Sequence, residues 1–310
     1  MVRFSATLAL IASTMLYAPN MALAAPDVVV SIKPIHSLVA SIMQGVAEPG
    51  LILKGAGSPH TYQMKPSDAE ALQNATLIFW VGPEFERFME KPMESLGDKA
   101  KVVELEKAAG LTLLPTRESG TFEKHADEEE HASGDDHEEH DLHIWLSTAN
   151  AKAMAAEIAG SLAAADPANA AVYHQNLAKL DTKLDALAAE IKTTVAPVKE
   201  KPFIVFHDAY QYFEKEFGVN VAGSITVTPE NVPGAARISE IHEKLKTLGA
   251  SCVFAEPQFE PKLVDVVLEG TQAKTGTLDP EAATLTEGPD LYFDLMRGLA
   301  GSLKDCLSSK

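Results

Sequence analysis

The stretch AVYHQNLAKLDTKLDALAAEIKTTV, residues 171–195, decides the fold. Leu177, Leu180, Leu184, Leu187, Ile191 and Val195 recur at steps of three or four, which places them on one stripe of a helix. Pro167 opens the segment and Pro197 stops it. The expected helix has about 28 residues and would reach roughly 42 Å. Two readings fit: an ordinary core helix of a single domain, or a stiff spacer between two others. The flanking sequence favours the spacer, because strand–helix alternation runs up to it and restarts after it.

Before the helix, Asp27–Ile32 (DVVVSI) is a β-branched strand run, and Ile35–Ala47 reads as a helix after Pro34. Leu51–Leu53 is a second short strand, followed by the loop Gly55–His60. Ser67 with Glu70 has the spacing of a capping box, opening a helix through Gln73. Thr76–Val81 (TLIFWV) is a third strand, Glu84–Glu94 an amphipathic helix and Val102–Leu105 a weaker strand. Ser147 is a good N-cap for an Ala-rich helix reaching about Ala165.

After the helix come a strand at Phe203–Phe206, a helix at Tyr210–Phe217 and a helix at Ala235–Leu248. Then follow a strand at Cys252–Ala255, a helix at Pro261–Thr271, a strand edge at Thr275–Leu278 and a closing helix at Tyr292–Leu307. The expected architecture is α/β: two parallel-sheet lobes joined by one long rigid helix. Residues 27–165 make the N-terminal lobe, 166–197 the linker and 198–310 the C-terminal lobe. The lobes resemble each other only in rhythm; no residue-level repeat is visible.

Composition narrows the class. Hydrophobic residues are 46% and charged residues 23% of the 310, ordinary for a globular protein. Arg3, the apolar run Leu8–Leu16 and Ala22-Leu23-Ala24 form a secretory signal peptide over residues 1–24, so the mature chain is expected in the periplasm with no membrane insertion. Cys252 and Cys306 are an even pair in an exported chain, so a disulfide is expected, against the alternative of two buried thiols. The net charge is −18 and no basic stripe exists, which argues against nucleic acid as a partner. Glu123–Asp141 holds ten acidic residues and one lysine, interspersed with His125, His131, His137 and His140. It offers nothing apolar to offset the entropy of ordering, so disorder is expected over 118–141, with its histidines a weak collector of metal or merely part of a solvated linker.

Three other histidines share an address. His60, His143 and His207 each sit in or beside a strand-to-helix connection, and in parallel α/β folds these connections gather where ligands bind. None belongs to a short metal motif, and spacing alone does not bring them together. His36 follows the first strand, while His174 and His242 lie on expected helices and are read as surface residues.

An ordered set of motifs adds to this reading: Ser31-Ile32-Lys33-Pro34, Gly57-Ser58-Pro59-His60-Thr61-Tyr62, Lys65-Pro66-Ser67-Asp68, Trp80-Val81-Gly82-Pro83, His143-Ile144-Trp145-Leu146-Ser147, Val205-Phe206-His207-Asp208-Ala209-Tyr210, Phe254-Ala255-Glu256-Pro257-Gln258 and Gly276-Thr277-Leu278-Asp279-Pro280. Together they span nearly the whole mature chain and resemble the ZnuA family, zinc-binding proteins of bacterial ABC transporters. The acidic, histidine-rich insertion also resembles the zinc-specific branch. The resemblance implies a metal site in the cleft between the lobes, with His60, His143 and His207 as ligands, Zn²⁺ as the bound ion and a membrane permease of an ABC zinc importer as partner. Three imidazoles suit zinc, whereas a carboxylate in place of His207 would suit manganese; Ni²⁺ and Cu²⁺ also accept imidazole.

The chain departs from some relatives in having Pro59, without a donor, where they have Glu. The fourth ligand is then water or a carboxylate from elsewhere, with Asp279 either a direct ligand, a support for one, or a turn cap. Ser224 stands where some relatives have a further His. Glu256 lines the cleft or caps a turn. A monomeric, non-enzymatic binding protein is expected. The alternatives are a zinc-dependent hydrolase, for which no general base adjoins a His ligand in a protease motif, and a metal-binding adhesin, for which no lipid-anchor motif is visible.

Overall fold

The computed structural model describes residues 25–96, 99–117, 140–226, 234–247, 249–260 and 262–308. The expected signal peptide, and His125, His131 and His137, lie outside the described residues.

Two four-stranded parallel sheets form the frame. The first holds β1 (Val28–Val30), β2 (Gly50–Leu51), β3 (Leu77–Trp80) and β4 (Lys101–Glu104), in the order β2-β1-β3-β4. The second holds β7 (Pro202–His207), β8 (Asn220–Thr226), β9 (Cys252–Ala255) and β10 (Lys274–Thr277), in the order β10-β9-β7-β8. Read from the other edge this is the same topology, so the lobes share a winding as well as a rhythm. In each, the chain reverses direction across the sheet between the first and third strands, the place where parallel α/β sheets bind ligands.

The inner strands β1, β3, β7 and β9 read as near-continuous apolar runs because both their faces are covered. Val28, Val30, Leu77, Phe79, Phe203 and Val205 enter one core, which extends through α1 (Lys33–Met43), α4 (Thr148–Ala165), α5 (Ala170–Val195) and α9 (Leu291–Ser308). Val29, Ile78 and Trp80 pack on the outer side of the first sheet, with Leu72 of α2 (Pro66–Asn74) and Met89 of α3 (Arg87–Leu96). Ile204, Phe206, Ile225 and Val253 do so on the second, with Ile241 of α7 (Ala235–Thr247) and Val264 of α8 (Lys262–Leu268).

The long helix is α5, 26 residues, about 39 Å at the α-helical rise. It joins the lobes and is packed along its length. Leu180, Leu184, Leu187, Ile191 and Val195 are all buried. Near its start Asn176 donates to the carbonyls of Ile42 and Gln44 in the first lobe; near its end Glu190 accepts from Arg297 of α9 in the second. Spacer and core helix are thus one element. Further cross-links stiffen the frame: Lys33 Nζ donates to the carbonyls of Ala282, Ala283 and Leu285, Trp145 Nε1 to Pro280 O, and Tyr292 OH to Trp145 O. The Cys252–Cys306 disulfide ties β9 to α9 across a separation of 54 residues, a closure worth about 4 kcal/mol in the chain-entropy account.

The structure differs from the sequence reading in four places. The N-cap of α2 is Lys65, whose backbone N–H donates to the carboxylate of Asp68 in the first turn; Ser67 already lies inside the helix. The third helix starts at Arg87 rather than Glu84, because Phe85 and Glu86 are turned inward. β8, with glycine in its middle, has no clear strand signature and was not expected from the residues. Finally, two residues of the stretch 118–141, for which disorder was expected, are ordered: β6 (His140–Asp141) pairs antiparallel with β5 (Leu114–Pro115), and Asp141 has structural partners; residues 118–139 lie outside the described residues.

Candidate metal centre

His60 comes from the loop after β2. Ser58 Oγ accepts from its backbone N–H, and the Phe85 ring meets its imidazole edge-on at 5.1 Å. Its Nε2 is buried and has no hydrogen-bond partner among the described residues. Burial, with His143, His207 and Arg87 nearby, holds its pKa well below the usual histidine value.

His143 follows β6 and opens a short 3-10 turn, Ile144–Leu146. Asp141 Oδ1 accepts from both its backbone N–H, at 3.0 Å, and its Nδ1, at 2.7 Å. His207 is the last residue of β7. Its Nδ1 reaches both oxygens of Glu256, at 2.8 and 2.7 Å, and Tyr210 OH donates to the same carboxylate. Glu256 directly follows β9, the neighbour of β7, so the pair sits at the winding switch of the second lobe. Burial works to lower the His207 pKa, but Glu256 outweighs it and the pKa is raised.

In the neutral tautomer that gives Nδ1–H to the carboxylate, each ring presents an Nε2 lone pair inward. The Nε2 atoms of His143 and His207 are 3.3 Å apart. Tetrahedral zinc with nitrogens at about 2.0–2.1 Å would separate them by about 3.3–3.4 Å. One ligand nitrogen from each of His60, His143 and His207 falls within 4.8 Å of the others, and no fourth His, Cys, Asp or Glu among the described residues joins them. Lone pairs facing one another in a buried site repel unless a cation lies between them.

The other candidates fall elsewhere. The Asp279 carboxylate accepts from Gln258 Nε2 and from the N–H groups of Ala283 and Thr284, capping the turn that follows. His140 is on β6, outside the three-histidine group. His36 is buried, with Nε2 on Pro49 O. His174 is exposed and His242 partly so. Ser224 lies on β8 beside Val205.

Sequence reasoning missed Asp141 as the partner of His143, although the Asp-x-His spacing carried the signal. It also missed two buried acids. Glu86, after β3, accepts from Val81 N–H, Gly82 N–H and Ser31 Oγ; burial pushes its pKa up to about 7. Glu281 is buried near Asp279, Glu86 and Glu256, one of its oxygens has no partner among the described residues, and burial holds its pKa well above the carboxylate range. Nothing in the local sequence marks either acid.

The chain matches the family described as ZnuA, zinc-uptake complex component A, periplasmic, over residues 28–306. It is 56% identical over 305 residues to a high-affinity zinc uptake system protein ZnuA of Brucella suis biovar 1 (strain 1330), covering 91% of each chain. A crystal structure of a ZnuA superposes with a TM-score of 0.75 at 26% identity, covering 91% of this chain and 99% of that one. A zinc-bound ZnuA lacking its residues 138–173 superposes with a TM-score of 0.74 at 25% identity, covering 92% of this chain and 99% of that one.

Proposed function

Because the chain belongs to the ZnuA family of periplasmic zinc-uptake components, we propose that it captures zinc with His60, His143 and His207 and hands it to the permease of an ABC zinc importer. The single observation that carries this reading is the buried convergence of three imidazole nitrogens, two of them 3.3 Å apart with their Nδ1 atoms on carboxylates. Three neutral nitrogens suit borderline-soft zinc better than hard manganese. The two carboxylates that touch the rings raise ligand basicity without joining the ligand set. Water completes the fourth position, since Asp279 is engaged in its turn. Zinc is cargo, and the protein acts in the periplasm as a monomer without catalysis.

The proposed division is a signal peptide at 1–24, an N-terminal lobe at 27–165, a linker at 166–197 and a C-terminal lobe at 198–310. Each sheet falls wholly within one of the two lobes. His125, His131, His137 and His140 act as an auxiliary, weaker collector.

Competitive titration of the mature protein with Zn²⁺, Mn²⁺, Ni²⁺ and Cu²⁺, combined with X-ray absorption of the zinc form, tests the reading. One tight zinc with three imidazole neighbours is expected. One or two imidazoles per zinc would overturn it.

A further inference from the structure

The two ligand-bearing segments that face each other, around His143 and His207, come from different lobes. Their separation must be maintained by something other than the metal if the site is to wait for zinc in a ready geometry. α5 sets the lobes apart on the scale of the whole molecule. A contact close to the rings is needed to hold nitrogens to within a fraction of an ångström.

Arg117 makes such a contact. It lies just beyond β5, the strand paired with β6, and β6 ends in Asp141, which holds His143. Its guanidinium reaches across to the second lobe. Nε donates to Asp208 Oδ2 at 3.0 Å, Nη2 donates to Asp208 Oδ1, and Nη1 donates to Glu214 Oε2 at 2.7 Å. Asp208 is the residue directly after His207, and Glu214 lies on α6 (Gln211–Phe217). The side chains are largely withdrawn from solvent, at 20% exposed for Arg117 and 7% for Asp208. The contacts therefore close a ring: Arg117, the β5–β6 ladder, Asp141, His143, His207, Asp208 and back to Arg117.

We infer that Arg117 is a positioning residue for the metal centre, locking the strand pair that carries His143 to the loop that carries His207 and so slowing the escape of bound zinc. The inference rests on the reading of the three histidines as zinc ligands. Neutral bonds run beside it: Tyr212 OH donates to Asp141 O and accepts from Leu114 N–H, and Gln211 Nε2 donates to Pro115 O. Arg117 differs in kind. A two-pronged pair with a carboxylate fixes orientation as well as distance. Its loss would leave Asp208 without its counter-charge in a largely dry site, where the like charge of Asp141 on the opposite segment would push apart the segments it joined.

The test uses the full mature chain. Zinc release is followed by transfer to a chelator in stopped flow, and Kd by competition, for wild type, Arg117→Ala, Arg117→Lys, Asp208→Asn and the Arg117→Ala/Asp208→Asn pair. The expected result is release faster by about 10–100-fold in Arg117→Ala, the range for groups that orient metal ligands. The association rate should hold, Arg117→Lys should be intermediate, and X-ray absorption should still count three imidazoles. The double variant should be no faster than the faster single one. Wild-type release from Arg117→Ala, or multiplying effects of the two substitutions, would overturn the inference even where melting temperature falls. Arg117→Lys carries the test should the alanine variant not fold. Fewer than three imidazoles in the wild-type zinc form is a separate outcome: it removes the metal centre itself and this inference with it.

Discussion

His143 Nε2 and His207 Nε2 stand 3.3 Å apart although 64 positions separate the residues in the chain. Each ring is fixed from behind by a buried carboxylate, Asp141 in one lobe and Glu256 in the other. The candidate metal centre is therefore built from two matched halves, each a histidine with its own acid, and His60 joins them from a third loop.

Removing any of the three histidines should cost far more than removing a histidine elsewhere. A closed four-ligand zinc site is worth about 10–16 kcal/mol, so one lost ligand corresponds to about a 100–1,000-fold weaker Kd. His60→Ala, His143→Ala and His207→Ala are each expected in that range by competitive titration. His36→Ala should leave Kd unchanged, since that side chain binds Pro49 O away from the cluster. Comparable losses from all four substitutions would refute the ligand set.

Asp141→Asn and Glu256→Gln should each weaken zinc by about 10–100-fold while X-ray absorption still counts three imidazoles. The amide can present its NH₂ to Nδ1, favouring the tautomer that protonates the nitrogen facing the metal. An unchanged Kd in both variants would show that the carboxylates do not set the tautomer.

Zinc affinity should fall as pH falls, and the fall should begin above pH 6.5, the ordinary histidine value that His207 exceeds. His60, held well below that value, stays neutral and adds nothing at the onset. For the metal-free fold the sign is opposite. His207 contributes stability that is complete below its unfolded pKa and is lost as pH rises through the raised folded one. The zinc-induced rise in Tm should therefore grow between about pH 5 and 8. A rise that is flat or shrinks across that range would contradict the assignment.

Where the acidic insertion is cut should matter. Deleting residues 123–139 should retain the tight site and lower total bound zinc, because β6 and Asp141 remain. Deleting 123–141 removes the acceptor for His143 and should weaken the tight site by about 10–100-fold. Equal Kd values for the two deletions, from parallel titrations, would show that Asp141 is dispensable.

The architecture was legible in the sequence wherever the signal was local and periodic. The stripe from Leu180 to Val195, the β-branched runs of β1 and β3, and Ser147 as the N-cap of α4 each declare themselves within a few residues, and the structure has them. β8 did not, because a glycine-centred strand takes its shape from its neighbour β7 rather than from its own residues. The family motifs pointed to His60, His143 and His207, but only one by one.

Their meeting was decided by the tertiary structure, because it depends on how two sheets with the same winding face each other across α5. The same holds for Glu256 at His207, Arg117 at Asp208, and the inward turn of Glu86. Each joins chain segments, or buries a charge, through contacts that no local pattern encodes. An acid written as an ordinary surface residue becomes a buried partner only when the surrounding lobes take away its water.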